Sequence, residues 1–480
     1  MPTFPADYAG RRVTVMGLGR FGGGVGVARF LAERGAHVLV TDTAPAEQLT
    51  DSLAKLADLE AGGAVRYRLG EHRAEDFTGC DLLVVNPAVR PDNAFVASAR
   101  EADKPITSEI RLLVRHLPNR LKTIGITGTA GKSTTTAMTA HILRKVLGQA
   151  GETPYDGQTQ RQIEGPGVWM GGNIGGSLLP TVDLIRDDDW VVLELSSFML
   201  EGLREDRWSP HIAVITNISP NHLDWHGTME NYIAAKQAIL SFQRHTENDA
   251  AVAGPVVHDL VEPRVLRWAD FGGAGDRWWL DEPDVVPGLP GRHNQINARL
   301  AAHAVDYALL PDDRESRLPD WWSALHDFPG LPHRLEAVGE INDVRVYNDS
   351  KSTTPEAARL AVEAFDMGQV RLILGGYDKG SDFTDLAEFV AMKGATAYTL
   401  GATGGAIADL VEAAGGRAIP CETLDRAVPM ALADASPGEV LLLSPGCASW
   451  DQFANYEERG ERFVELVKQH AAVYQKKPTD

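Results

Sequence analysis

A chain of 480 residues exceeds what one hydrophobic core organises, and 44% hydrophobic with 23% charged residues reads as a folded, multi-domain globular protein. A formal charge of −20 excludes non-specific nucleic-acid binding, which needs a basic face to displace counterions, so any anionic ligand must be held by local positive groups. Cys80, Cys421 and Cys447 are too widely spaced for a disulfide framework or a CxxC metal site. No apolar run reaches about 18 residues, and MPTFPADYAGRR lacks the apolar core of a signal peptide. The expectation is a cytoplasmic protein with reduced thiols, no membrane insertion and no nucleic-acid partner, a monomer in the simplest case.

From Arg12 the pattern is strand, glycine turn, helix and strand: RVTVMGLGRFGGG, VGVARFLAERGA at helical spacing, then HVLVTDT. DLLVVNPAV supplies a further strand, and KPITSEIRLLVRHLPNR leads out through a proline-marked boundary. A second core starts at LKTIGITGT and takes in DWVVLELSS and HIAVITNIS, continuous apolar runs typical of strands buried on both faces. Residues 148–172, rich in glycine and polar side chains, are expected to form a long surface connection, and the final QKKPTD to fray. After LHDFPGLPHRLE the strands VRVYNDS, VRLILGGY and EVLLLSPG alternate with helices. Three consecutive α/β units are the simplest account.

The first unit carries Gly17, Gly19 and Gly22 as GxGxxG directly after a strand, with Asp42 at the end of the next strand. A dinucleotide site, a bare tight turn and a site for another nucleotide such as a UDP conjugate all fit that pattern. In GTAGKST, Gly128 and Gly131 let backbone amides turn inward, Lys132 reaches phosphate oxygens, and Ser133 can place a hydroxyl on Mg²⁺. Ile126 occupies the first glycine position of the strict GxxxxGK[ST] spelling, but those contacts do not need a glycine there. A strand before and a helix after the loop favour ATP.

HLDWH sets His222 and His226 in a segment that reads either as a metal site or as polar surface. Glu194 ends a buried strand, and Lys236 lies on an apolar helical stripe, where a lysine must be paired, neutralised, modified or extended to solvent. Arg334 is a fixed cation suited to phosphate. Asp349, Lys351 and Thr353 follow one strand, and Asp378 and Lys379 another, where ligands of open α/β sheets sit.

Taken together, TGTAGKST, GNIG, LELSSFMLE, HLDWHGTMENYIAAK, GRHNQIN, FPGLPHRLE, NDSKSTTPEA, GGYDKGSDF and LLSPGCASWDQF resemble the Mur ligases, in the family's order and over nearly the whole chain. The family's own loop spelling, GT-x-GK[ST], accounts for Ile126. The resemblance implies an α/β protein of three domains. These are a Rossmann-like UDP-sugar-binding domain (1–111), a central P-loop ATPase domain (112–330) and a Rossmann-like amino-acid-binding domain (331–480). It is most similar to the members that add D-glutamate to UDP-N-acetylmuramoyl-L-alanine through an acyl phosphate. A different amino acid, such as L-glutamate, or less readily an NAD(P)-dependent dehydrogenase, is the alternative.

By the same resemblance, Gly19, Arg20, Phe21, Asp42, Thr43 and Asn173 would hold the UDP substrate. ATP would be held by Gly128, Thr129, Gly131, Lys132, Ser133, Thr134, Asn294, Asn297, Arg334 and Asp349. Two Mg²⁺ ions would use Ser133, Glu194, His222 and a CO₂-derived carbamate on Lys236, while Lys351, Thr353, Lys379, Ser449 and Tyr456 would surround glutamate. Lys132, Lys236, His222 and Arg334 are the implied catalytic set. Ala130 and Met199 depart from the asparagine and glutamine common at those positions.

Overall fold

The computed structural model describes residues 7–19, 22–87, 89–90, 92–148, 165–254, 257, 288–309, 318–377 and 379–474. Arg20, Phe21 and Asp378 lie outside the described residues, as do most of the expected 148–172 connection and the last six residues. Chain contacts divide the protein into two compact units, residues 1–281 with 299–324 and residues 282–298 with 325–480. The first unit holds two sheets and the second holds one.

The first sheet comprises β1 (Arg12–Met16), β2 (His37–Asp42), β3 (Val65–Leu69), β4 (Leu82–Val85) and β5 (Ile106–Thr107). All are parallel, in the order β3-β2-β1-β4-β5. Chain order reverses direction at β1, so the crevice at its carboxyl end opens beside Gly17 and Gly19.

The second sheet comprises β6 (Thr123–Thr127), β7 (Val168–Gly172), β8 (Trp190–Glu194), β9 (Ile212–Ile215) and β10 (Ala250–Ala253), parallel in the order β10-β9-β6-β8-β7. Every residue of β6, β8 and β9 is buried, as their continuous apolar spelling requires. Side chains such as Ile124, Val192 and Ile212, with no exposed surface, each contribute roughly 1.5–3 kcal/mol. Pairing of β6 with both β8 and β9 sets the loop after Thr127 between Glu194 and Thr216.

Within this unit the two sheets are tied by charge and by close packing. Arg111 is buried and reaches Asp206 at 2.5 Å and Glu205 at 2.7 Å. A methyl group on Gly26 would come within 2.5 Å of the Ser177 Cβ, so the helix Gly23–Glu33 can approach that closely only without a side chain there. Ser177 donates to Glu109 Oε1 at 2.7 Å, and burial pushes the Glu109 carboxyl up to about 7.

The second unit's sheet runs β11-β12-β16-β13-β14-β15, from β11 (Glu336–Ile341), β12 (Val344–Asn348), β13 (Val370–Gly375), β14 (Thr396–Leu400), β15 (Arg417–Glu422) and β16 (Val440–Leu443). Only β11 is antiparallel. It is joined to β12 by Asn342 and Asp343, whose φ values of 50° and 62° suit the short polar residues of a two-residue hairpin turn. Among the described residues no helix is long and apolar enough to cross a membrane.

Glu109 yields a pH prediction. Its native pKa lies above the unfolded value, so the native state binds more protons between about pH 4.5 and 7. The stability it contributes is full below that window and is lost as pH rises through it. Unfolding free energy of wild type should therefore fall across the window relative to Glu109→Gln, which cannot ionise. Parallel urea-unfolding profiles of the two proteins would contradict this.

Candidate active site

The loop between β6 and the helix Lys132–Val146 is held mainly through its main chain. Thr129 N donates to Asn217 O at 2.9 Å, and Ala130 N to Asn217 Oδ1 at 2.9 Å. The Ala130 carbonyl accepts from Thr216 Oγ1 at 2.6 Å and from Asn217 Nδ2 at 3.0 Å. Gly128 is obligatory at φ 150°, since a Cβ there would lie 1.9 Å from Thr216 Oγ1. Ala130 is thus fixed by atoms every residue has, which accounts for the loop keeping its shape without the common asparagine.

Two ammonium groups converge on this loop. Lys132 Nζ donates to Thr129 O at 2.8 Å and Gly128 O at 3.1 Å, and Lys236 Nζ donates to Gly128 O at 2.6 Å. Lys236 is only 2% exposed. Burial, reinforced by the Lys132 charge and opposed by Glu194, brings its pKa down to about 6. Its ammonium also lies 4.6 Å from the ring centroid of Tyr232, whose hydroxyl meets Thr129 Oγ1 at 3.0 Å. Tyr232 and Lys236 share a helix face at i,i+4 spacing, a signal present in NYIAAK that motif reading passes over.

Ser133 Oγ donates to Glu194 Oε2 at 2.6 Å, and Asn173 Nδ2 donates to the other carboxylate oxygen at 2.9 Å. Among the described residues no three His, Cys, Asp or Glu side chains converge as a metal cage. One carboxylate and one hydroxyl side by side are nevertheless hard oxygen donors of the kind Mg²⁺ uses when nucleotide phosphates and waters complete its shell. Those residues fit the ion.

His222 begins the helix Leu223–His226 at φ 52° and packs against Phe198, with ring centroids 4.9 Å apart. Partial burial lowers its pKa, opposed by Asp224 and reinforced by Lys132 and Lys236. His226 takes a structural part: Nε2 meets Ser197 Oγ at 3.0 Å, and burial lowers its pKa to about 4.

At the first sheet, Asp42 Oδ2 accepts from Leu18 N at 2.9 Å and Gly19 N at 3.2 Å, and Oδ1 accepts from Ala44 N at 2.8 Å. The acid that the sequence pattern points toward a ligand therefore also braces the glycine turn. Thr43 beside it is exposed.

In the second unit, Asp349 follows β12 and is buried, accepting from Ser352 Oγ at 2.5 Å and Ser444 Oγ at 2.7 Å. Burial raises its pKa to about 6 against those hydrogen bonds and the nearby Arg334. Lys351 lies 4.8 Å from the Tyr456 ring centroid, and Lys379 lies 4.6 Å from that of Trp450. Burial lowers the Lys379 pKa. Ser449 is buried and Thr353 half-buried on the neighbouring loops. Asn294 and Asn297 are buried together, the first donating to Pro290 O at 2.7 Å. Arg459, Ser444 and Trp450 join this group without having been singled out by sequence, because their partners come from distant loops.

Three family models match successive parts of the chain. They are the Mur ligase MurD-like N-terminal domain (residues 11–108), the Mur ligase middle domain (126–256) and the Mur ligase glutamate ligase domain (333–447). The UDP-N-acetylmuramoylalanine–D-glutamate ligase of Acidobacterium capsulatum is 39% identical, covering 98% of this chain and 99% of its own length. The enzyme of the same name from Roseiflexus sp. is 37% identical, covering 96% and 99%. Among solved structures, the UDP-N-acetylmuramate-alanine ligase MurC of Thermotoga maritima superposes with a TM-score of 0.57 at 22% identity, covering 96% of this chain and all of that one. The ADP complex of the MurF ligase of Thermotoga maritima gives 0.53 at 16%, covering 82% and 95%. At those identities the fold alone is shared.

Asn217→Ala should free the loop at residue 130 by removing two hydrogen bonds worth roughly 1 kcal/mol each. About tenfold weaker ATP binding is expected by calorimetry, and unchanged affinity would contradict the bracing role.

Proposed function

The chain belongs to the Mur ligase family of ATP-dependent amide-forming ligases, and on that premise we propose that it joins D-glutamate to UDP-N-acetylmuramoyl-L-alanine in peptidoglycan precursor synthesis. The observation that carries the reading is the loop on which Lys132, Ser133, Glu194 and the buried Lys236 meet, in a chain 39% identical to a curated ligase of that name. ATP and the UDP substrate meet there, and Lys351, Thr353, Lys379, Ser449 and Tyr456 take the amino acid.

In the first step a carboxylate oxygen of the alanyl group bonds to the γ-phosphorus of ATP as the bond to the β,γ-bridging oxygen breaks, giving an acyl phosphate and ADP. Lys132 exchanges its loop carbonyls for phosphate oxygens and neutralises charge on the transferring group, and Arg334 is assigned to the same phosphate. Ser133 and Glu194 would hold one Mg²⁺, and His222 with a carbamate on Lys236 a second; when bound, the ions would supply Lewis-acid charge neutralisation. In the second step the deprotonated glutamate amine bonds to the acyl carbon. The nitrogen gives up a proton to solvent or to the departing phosphate, the tetrahedral species collapses, and phosphate leaves with its electron pair. Lys379 offers a positive charge to a glutamate carboxylate.

Carbamylation suits Lys236 on physical grounds. Its amine is largely neutral above about pH 6 and therefore nucleophilic toward CO₂. The neutral nitrogen bonds to the carbon of CO₂ as a C–O π pair moves onto oxygen, a proton is released, and a buried amine becomes an anion beside Lys132. Exhaustive removal of CO₂ should lower turnover at least about tenfold, with bicarbonate restoring it. Indifference to CO₂ would remove the carbamate from this proposal.

The defining experiment supplies UDP-N-acetylmuramoyl-L-alanine labelled with oxygen-18 in its carboxylate, ATP, and a panel that includes D- and L-glutamate. Label is expected in phosphate, in step with new peptide, and only with D-glutamate. Lys132→Ala should lower turnover at least about 100-fold. Absence of label transfer with every amino acid, or near-normal turnover in that variant, would reject the ligase assignment.

A further inference from the structure

Arg459 is one of the largest fully buried side chains of the second unit, 1% exposed, on the helix Tyr456–Tyr474. Its guanidinium bonds to two of the loops that follow parallel strands and lies beside a third. Nε donates to Ser350 Oγ at 3.0 Å and Nη2 to Ser350 O at 2.8 Å, after β12. Nη1 donates to Cys447 O at 3.1 Å, after β16. After β13, a Cβ on Gly376 would stand 2.4 Å from Ala448 O and 3.3 Å from Nη1, so glycine lets that strand end close against the Ala448 carbonyl beside the guanidinium. Ser350 Oγ passes the chain of bonds on, donating to Tyr456 O at 2.8 Å.

Each segment fixed in this way carries a residue already assigned to the amino acid. Lys351 adjoins Ser350, Lys379 follows Gly376, Ser449 follows Cys447, and Tyr456 lies one turn before Arg459 on the same helix. Among the described residues no carboxylate lies within ion-pair distance of Arg459; its partners are carbonyls and one hydroxyl. A buried guanidinium without a carboxylate is a costly way to staple loops, because its desolvation is not offset by an ion pair. What it supplies that packing cannot is a fixed positive potential. Burial lowers its pKa to about 10, opposed by Cys447, Asp451 and Asp349, so it stays charged at neutral pH.

We propose that Arg459 is a positioning residue for the amino-acid substrate, holding the loops of Lys351, Lys379, Ser449 and Tyr456 in register and adding a buried positive charge beneath the place where the substrate's carboxylates bind. The proposal rests on the assignment of those residues to the amino acid, and it concerns how the dicarboxylate is held rather than which enantiomer is chosen. A dicarboxylic amino acid gains most from this arrangement, since its two carboxylates meet positive charge from Lys351 and Lys379 backed by the buried Arg459.

The test uses the full chain with Arg459→Met and Arg459→Lys, measuring phosphate release, the KM of each substrate and the thermal midpoint. Arg459→Met should raise the KM for D-glutamate at least about 30-fold while the KM values for ATP and the UDP substrate stay within about twofold. Arg459→Lys, which keeps the charge but loses the fork of donors, should fall between Met and wild type. A folded Arg459→Met protein with wild-type KM for D-glutamate overturns the proposal, as does an equal rise in all three KM values, which marks a merely structural role. If Arg459→Met does not fold, Arg459→Lys decides: a selective rise in the D-glutamate KM supports the proposal and no rise overturns it. Wild type is first run against the amino-acid panel. Failure there on D-glutamate rejects that substrate assignment, and the variants are then judged on the amino acid the panel identifies.

Discussion

One carbonyl oxygen, that of Gly128, receives both Lys132 and Lys236, and the central site depends on this like-charge convergence. Two ammonium groups on one acceptor, one of them sealed from water, repel each other unless an anion arrives or one amine gives up its proton. On the proposed reading both responses are useful: nucleotide phosphates would relieve Lys132, and a neutral Lys236 would be open to CO₂. Glu194 cannot neutralise the pair outright, because it brings one negative charge against two positive ones and its pull on Lys236 is outweighed by burial and by Lys132.

The same economy recurs in the second unit, where buried charge is tolerated only in the midst of dense hydrogen bonding. Asp349 is stabilised by two serine hydroxyls and a backbone amide, and Arg459 by two carbonyls and a hydroxyl. Both groups sit at the carboxyl ends of parallel strands, where successive loops converge and ligands of open α/β sheets bind. Burying charge costs stability, so a fold that retains it there gives up some robustness for a pre-arranged field.

Much of this is legible in the sequence, for physical reasons that also define where legibility stops. TIGIT, WVVLE and IAVI read as central strands because flanking on both faces leaves no polar alternation to preserve. GTAGKST reads as a phosphate loop because its chemistry is local, with amides, a lysine and a serine in one turn. Asn217 is invisible to such a reading, since it braces Ala130 from 87 positions away. Arg459 and Ser350 are 109 apart, and nothing in ERGERF marks that arginine as different from the half-buried Arg462 beside it. Asp42 shows a different limit: spacing identified a residue that matters to the turn without revealing that one of its oxygens accepts from the turn's own amides and the other from Ala44 N.

The bracing of the phosphate loop by Thr216 and Asn217 bears on how nucleotide recognition is divided along the chain. A loop that hangs on its neighbour's side chains has its ordering entropy settled during folding, so the free energy of meeting ATP is not spent on arranging it. Its shape is written outside the motif, in the residues just after β9, while position 130 contributes little beyond main-chain atoms. That leaves 130 as an open letter in the spelling, a place where lineages can drift or where a small reporter side chain could be installed to watch nucleotide arrive.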